Sequence, residues 1–326
     1  MRIAVIGAGI AGATVASRLH AAGVEVEVFE KARGPSGRMS TRRTEHGDFD
    51  HGAQYFTARH PVFRATVADW IARGLVAPWD ACIVTVEDGI VEVESDPPTR
   101  YVGVPRMSVL ARDLIGPVAL RTGVRIASLA RAASSWSLQD EGGSSWGPYD
   151  ACVLAVPAPQ AVPLLEASPA LARRAAAASL APCHATLVRF EDKLPVPFDA
   201  AFVRHSPLAW IARNESKPGR SGAHVWVLHS TPEYSLGRLE AEPAEVSQDL
   251  LRALSRAVCG ALPEVAFATT HRWLHARAES GRGTSPDLDR EAGLGVCGDW
   301  TLGDRVEDAF LSGDLLFGVM RDAWGL

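Results

Sequence analysis

The chain has 326 residues, 47% of them hydrophobic and 22% charged, with a formal net charge of −5. That length exceeds one ordinary core and suggests two domains, and the balance is that of a soluble globular protein. Negative charge without any Lys/Arg run excludes a general nucleic-acid binder, and no apolar run reaches the ~18 residues that span a bilayer.

The five cysteines (Cys82, Cys152, Cys183, Cys259, Cys297) are scattered, with no Cys-x-x-Cys. They are expected to be reduced core residues of a cytoplasmic protein. With the first strand entered by residue 3, no signal peptide is expected. No metal is expected. His271 and His275 lie four apart in HRWLH without the glutamate a zinc protease needs, and read as structural or substrate-facing.

In chain order, Ile3-Ala4-Val5-Ile6 reads as a buried parallel strand, and Ala13 to Ala21 has helical spacing stopped by Gly23. Between them VIGAGIAG places Gly7, Gly9 and Gly12 in the G-x-G-x-x-G pattern. The first glycine allows a sharp turn, the second lets backbone approach a pyrophosphate, and the third lets helix and strand pack closely. A second strand, Val24 to Phe29, ends in Glu30, whose carboxylate can accept hydrogen bonds from both ribose hydroxyls of an adenosine. An ADP-containing cofactor is therefore expected. The segment KARGPSGRMSTRR follows as a loop that brings Arg38, Arg42 and Arg43 near the first phosphate site. Asp50 to Phe56 couples a tight turn to polar and aromatic groups, as a flavin-edge segment would.

A helix-like stretch surrounds Trp70, and CIVTVEDGIVEVES predicts a β-hairpin turning at Asp88-Gly89. Met107 to Ile115 reads as helix, Gly123 to Ile126 as a short strand, and Asp150 to Val156 as a buried strand. Beyond 161 come an Ala/Leu-rich helix, strand-like runs (ATLVRFE, AWIARN, HVWVLHS, HRWLHAR) and an amphipathic segment from Ala244 to Cys259. The expected class is α/β: a Rossmann-like FAD-binding domain from 1–59, 100–160 and 288–326, and a substrate domain with a mixed or antiparallel sheet from 60–99 and 161–287.

GLGVCG at 293–298 matches the glycine pattern only formally, because Val296 and Cys297 lie inside it. It reads instead as a strand delivering Asp299 to a crevice, then a loop and a helix from about Val306 to Arg321. A carboxylate there can accept from ribitol hydroxyls, and the helix N-terminus can stabilise charge at a reduced flavin. That pairing favours FAD over NAD.

VIGAGIAG, EKARGPSGRMSTRR, DHGAQYF, AVPAPQ, WIARNESKP, WVLH, HRWLHAR and VCGDWTLGDRVEDAFLSG together resemble the bacterial renalase family, within the flavin amine-oxidase-like group. The resemblance covers essentially the whole chain. It implies a p-hydroxybenzoate-hydroxylase-like fold with non-covalent FAD. The implied activity is oxidation of 2- and 6-dihydro isomers of NAD(P) to NAD(P)+, with O2 taking the electrons to give hydrogen peroxide. The cofactor set it implies, with the motif residues above, is Gly7, Gly9, Ala11, Gly12, Glu30, Lys31, Arg38, Gln54, Tyr55, Val124, Asp299, Val306 and Glu307. Two departures stand out: Ser36-Gly37-Arg38 for the family's Gly-Gly-Arg, and Val306-Glu307-Asp308-Ala309 for its Val-Glu-Gly-Ala.

Hydride transfer from a dihydronicotinamide needs ring stacking more than acid–base chemistry. Trp273 and His229 are therefore nominated as ring-facing, with Asn214 and Arg272 as polar or phosphate contacts. The partners expected are that small molecule and O2. An amine oxidase built on a tyrosine cage fits poorly a chain with only Tyr55, Tyr101, Tyr149 and Tyr234. A flavin hydroxylase needs its Asp-Gly in a strand-to-helix turn, whereas here it turns a hairpin. A non-catalytic redox sensor lacks any supporting motif.

Overall fold

In the computed structural model, which describes residues 1–133, 135–279 and 287–326, the apolar run at the start forms the strand Arg2–Ile6. It is the centre of a six-stranded sheet in the order Asp287–Asp289, Leu294–Val296, Ala151–Leu154, Arg2–Ile6, Glu25–Glu30, Ala119–Thr122. All pairings are parallel except that of the Asp287–Asp289 edge. A strand covered on both faces must be apolar throughout, which is why Ile3 to Ile6 shows no alternation. Helix Ile10–Ala21 buries Ile10 to Ala16 and Leu19. The C-terminal helix, Val306–Trp324, packs so closely on it that a Cβ on Gly313 would lie 2.4 Å from the Ala11 carbonyl.

Between Ala119–Thr122 and Ala151–Leu154 the chain makes an antiparallel meander, Ile126–Ala132, Ser135–Asp140 and Ser145–Tyr149. The short strand expected at Gly123 to Ile126 is thus replaced by a break between two strands, with Val124 N–H bonded to the Glu30 carbonyl at 3.0 Å. The meander is anchored inward by buried Trp136, which donates to the Ala292 carbonyl, and by Tyr149, which donates to Glu27.

A second, seven-stranded sheet runs Val265–Ala278, Leu180–Phe190, Val225–Ser230, Leu208–Arg213, Ala200–Arg204, Ile83–Glu87, Ile90–Val93. It is antiparallel apart from the pairing of Ala200–Arg204 with Ile83–Glu87. The hairpin at Asp88-Gly89 forms as expected, with both residues at positive φ (50° and 83°). Helix Pro243–Ala257 covers one face, burying Val246, Leu250, Ala253 and Leu254 at helical spacing. The supposed loop after Glu30 is partly strand: Thr41–Thr44 pairs with Gly47–Asp50, so Arg42 and Arg43 sit on a hairpin. Cys82 and Cys259 are exposed, not core. Residues 280–286 of the expected substrate domain lie outside the described residues. Among the described residues, no helix is long and apolar enough to cross a membrane.

Candidate functional site

The C-terminal ends of the parallel strands open on a cavity of about 2040 Å³ that reaches across to the seven-stranded sheet. That is roughly twice the ~1,000 Å³ upper end of ordinary small-molecule sites, room for a dinucleotide and a second molecule.

The glycine turn forms one end. Gly7 has φ +103°, and a Cβ there would meet the Ala155 carbonyl at 2.5 Å; a Cβ on Gly12 would meet the Gly7 carbonyl at 2.0 Å. A Cβ on Gly9 would meet nothing within 4 Å, since its backbone faces open cavity. Helix Ile10–Ala21 begins there, offering unpaired N–H groups to an anion. Glu30 is buried, and its two oxygens accept from Ala8 N–H (2.9 Å) and Ala32 N–H (2.8 Å). Each retains acceptor capacity for a ribose hydroxyl. These residues fit a dinucleotide.

Arg38 crosses the cavity to Asp299, donating from Nη1 at 2.7 Å and Nη2 at 2.5 Å, and bonds the Ala276 carbonyl. The N-terminus of helix Val306–Trp324 borders the same space through Val306. Glu307 does not border it: its carboxylate accepts from Arg59 and His60 N–H, both at 2.7 Å. Asp308 caps the helix by accepting from Asp304 and Arg305 N–H. The extra carboxylate is thus absorbed by the helix start.

Beneath the segment 50–55 lies a buried ionic network that the sequence reading did not pick out. The side chains of Asp50, Lys217 and Arg220 are fully buried. Arg220 donates to Asp50 at 2.6 Å, while Lys217 Nζ reaches Gln54 Oε1 (3.0 Å) and Asn214 Oδ1 (3.1 Å) and lies 3.7 Å from Asp50. Burial lowers the Lys217 pKa to about 8, against the opposing pull of Asp50. Gln54 in turn donates to the Asp50 and Gly52 carbonyls, so its amide orientation is fixed.

The far wall is aromatic. Trp273 Nε1 (2.9 Å) and His229 Nε2 (3.1 Å) both donate to the His51 carbonyl, which sets the His229 tautomer. The His51 ring stacks on Trp273 at 5.0 Å, and His271 meets both rings edge-on. Burial first, then neighbouring positive groups, hold these imidazoles neutral: His51 and His229 fall to about 4, and His271 is also lowered. Tyr55 and Trp210 continue the wall 5.6 Å apart.

Of the expected cofactor residues, Gly7, Gly9, Ala11, Glu30, Lys31, Arg38, Gln54, Tyr55, Val124, Asp299 and Val306 line one cavity, with His229 and Trp273. Gly12 serves packing. Besides Glu307, two expected contacts are turned elsewhere. Asn214 is fully buried behind the wall, donating to the Asp48 carbonyl and accepting from Lys217. Arg272 borders the cavity, but its guanidinium binds the Leu239 carbonyl and Glu240. Strand alternation was the available signal: Arg272 sits between His271 and Trp273 and must face the other way. His51, unassigned by sequence, joins the wall through a motif already noted as flavin-edge. Among the described residues, no group of His, Cys, Asp or Glu could hold a metal.

Comparison with known proteins agrees with the N-terminal geometry. Residues 5–70 match the family described as NAD(P)-binding Rossmann-like domain. A zeta-carotene-forming phytoene desaturase of Myxococcus xanthus is 43% identical over 51 residues, 16% of this chain but only a tenth (10%) of the relative's length. An Exiguobacterium sp. 255-15 crystal structure, provisionally described as a protoporphyrinogen oxidase, superposes with TM-score 0.78 over 98% of both chains at 12% identity. The chain therefore has that structure's fold, and its residues 5–70 are similar to NAD(P)-binding Rossmann-like domains.

Proposed function

We propose that the chain is an FAD-dependent oxidoreductase of the renalase kind, oxidising 2- and 6-dihydro isomers of NAD(P) to NAD(P)+. The observation that carries this reading is the neutral aromatic wall of Trp273, His51, His229 and His271 in one cavity with a dinucleotide cradle. The relatives, a desaturase and a protein described as an oxidase, support an oxidoreductase in the coarser sense.

The residues that would hold FAD are the Gly7–Gly12 turn and Glu30 at its adenosine end, with Arg38, Gln54, Tyr55, Asp299 and the helix start at Val306 along its length. Bound there, FAD would supply a hydride acceptor and the reduction of O2 to hydrogen peroxide. Trp273 offers an indole face for a dihydronicotinamide ring and is kept from rotating by its bond to the His51 carbonyl. Because His51 and His229 stay neutral, the wall does not repel the positive charge that nicotinamide acquires on oxidation. The Lys217 contact holds the Gln54 carbonyl oxygen in place. The reading brings with it a cytoplasmic setting and no macromolecular partner.

Anaerobic mixing tests it. Borohydride-generated dihydro-NAD isomers should bleach the flavin far faster than 4-dihydro NADH or a monoamine. Faster bleaching by the amine would move the assignment to an amine oxidase, and no bleaching by any donor would leave a non-catalytic sensor.

A further inference from the structure

We propose that Arg42 and Arg43 form an anion subsite at the mouth of the cavity that holds the phosphates of the dihydronicotinamide dinucleotide. The identity of the donor rests on the reading above; the place where it is held rests on the following observations.

Ten arginines and Lys31 line the cavity against four carboxylates, Glu30, Glu141, Asp299 and Asp304, in a chain whose net charge is −5. Positive charge is therefore concentrated where a ligand enters, which favours anionic ligands in a concave, low-dielectric site. Five of these eleven cations are committed to ion pairs. Arg38 pairs with Asp299, Arg106 with Asp48, Arg125 with Glu141, Arg272 with Glu240 and Arg277 with Asp304. Arg42 and Arg43 have no ion-pair partner among the described residues; Asp48, directly across the hairpin from Arg43, is held by Arg106 at 3.1 Å. Both side chains are exposed.

Position separates this pair from the other uncommitted arginines. Arg33 follows Glu30 by three residues, and Arg112 Nη2 comes within 3.9 Å of where a Gly34 Cβ would stand, so both belong to the adenosine end, while Arg305 is the N-cap of helix Val306–Trp324, on the Asp299 side of the cavity. Arg42 and Arg43 sit on the hairpin whose second strand, Gly47–Asp50, runs straight into His51 and the aromatic wall. Arg42 lies near enough that its charge, after burial, helps lower the pKa of His271. Strand alternation points the two side chains to opposite faces of the hairpin, and both residues, exposed, line the cavity. A dinucleotide with its nicotinamide on Trp273 would direct its phosphates outward past them, and forked N–H donors suit phosphate oxygens.

The test compares FAD-loaded wild type with R42A/R43A and R42K/R43K, which remove or keep charge on exposed side chains. The readout is the ratio of kcat/KM for 2-dihydro-NAD to that for 2-dihydronicotinamide riboside, which has no phosphate. The ratio is expected to fall about tenfold in the alanine variant and to be largely restored in the lysine one. An unchanged ratio overturns the subsite. Calorimetric binding of NAD+ to the oxidised, FAD-loaded proteins needs no turnover. Weaker binding by R42A/R43A upholds the subsite even if no dihydronicotinamide bleaches the flavin, an outcome that removes only the functional reading. Equal binding, or none to either protein, overturns the subsite.

Discussion

Arg38 and Asp299, 261 residues apart, form a two-pronged ion pair across the cavity, with N···O distances of 2.7 and 2.5 Å. The pair joins the segment after the second strand to the strand-and-helix unit at the C-terminal end. Asp299 is almost fully buried, whereas Arg38 is partly open to the cavity. Removing the carboxylate leaves a half-buried guanidinium without its partner. Asp299→Ala is expected to weaken FAD binding to the apoprotein by at least about tenfold, at about 1.5–3 kcal/mol for a charged hydrogen bond. Fluorescence titration with FAD checks it, and an unaltered dissociation constant would remove Asp299 from the cofactor site.

The glycines of the turn should separate into two classes. Gly9 has φ −69° and free space where a Cβ would go, so Gly9→Ala should change stability by less than about 1 kcal/mol while obstructing a pyrophosphate. Gly12→Ala drives a methyl into the Gly7 carbonyl and should destabilise by about 1–3 kcal/mol. Thermal unfolding of the two apoproteins reads the difference; equal melting temperatures would contradict it.

One carboxylate faces two cations in the network beneath Gln54. Asp50→Ala leaves Lys217 and Arg220 buried without a counter-charge and is expected to cost about 3–5 kcal/mol. Lys217→Met should cost clearly less, because Arg220 still pairs with Asp50. Urea midpoints rank them, and a Lys217→Met protein as unstable as Asp50→Ala would show that the lysine is the essential partner.

Acid should destabilise the protein through its neutral histidines. His51 and His229 titrate at about 4 when folded, mainly because they are buried, against 6.5 for an ordinary imidazole. Between those values the unfolded chain binds more protons, so stability is complete above about pH 6.5 and falls as pH drops toward 4. Each group accounts for on the order of 3 kcal/mol over that window. His229→Gln should flatten the dependence. An equally steep fall in that variant would place the sensitivity elsewhere.

Much of the architecture could be read from local signals. The strand, turn and helix around Gly7, and the hairpin at Asp88-Gly89, each rest on a backbone requirement that few residues meet, so the sequence declares them. The meander from Ile126 to Tyr149 escaped because its strands are short and mostly exposed, and its buried anchors are set by distant partners, Ala292 and Glu27. The strand that carries Arg42 and Arg43 is not legible in the sequence because TRRT has no apolar alternation to mark it. At the site, residue type identified who stands near the cavity, but not where side chains turn. Glu307 and Asn214 carry the chemistry expected of ligand contacts and use it on backbone groups instead.

The close seating of Gly313 on Ala11, with the Arg18–Asp314 ion pair beside it, has a consequence for biosynthesis. The helix that follows the glycine turn leaves the ribosome almost three hundred residues before the helix that covers it. The early segment must wait with its apolar side uncovered.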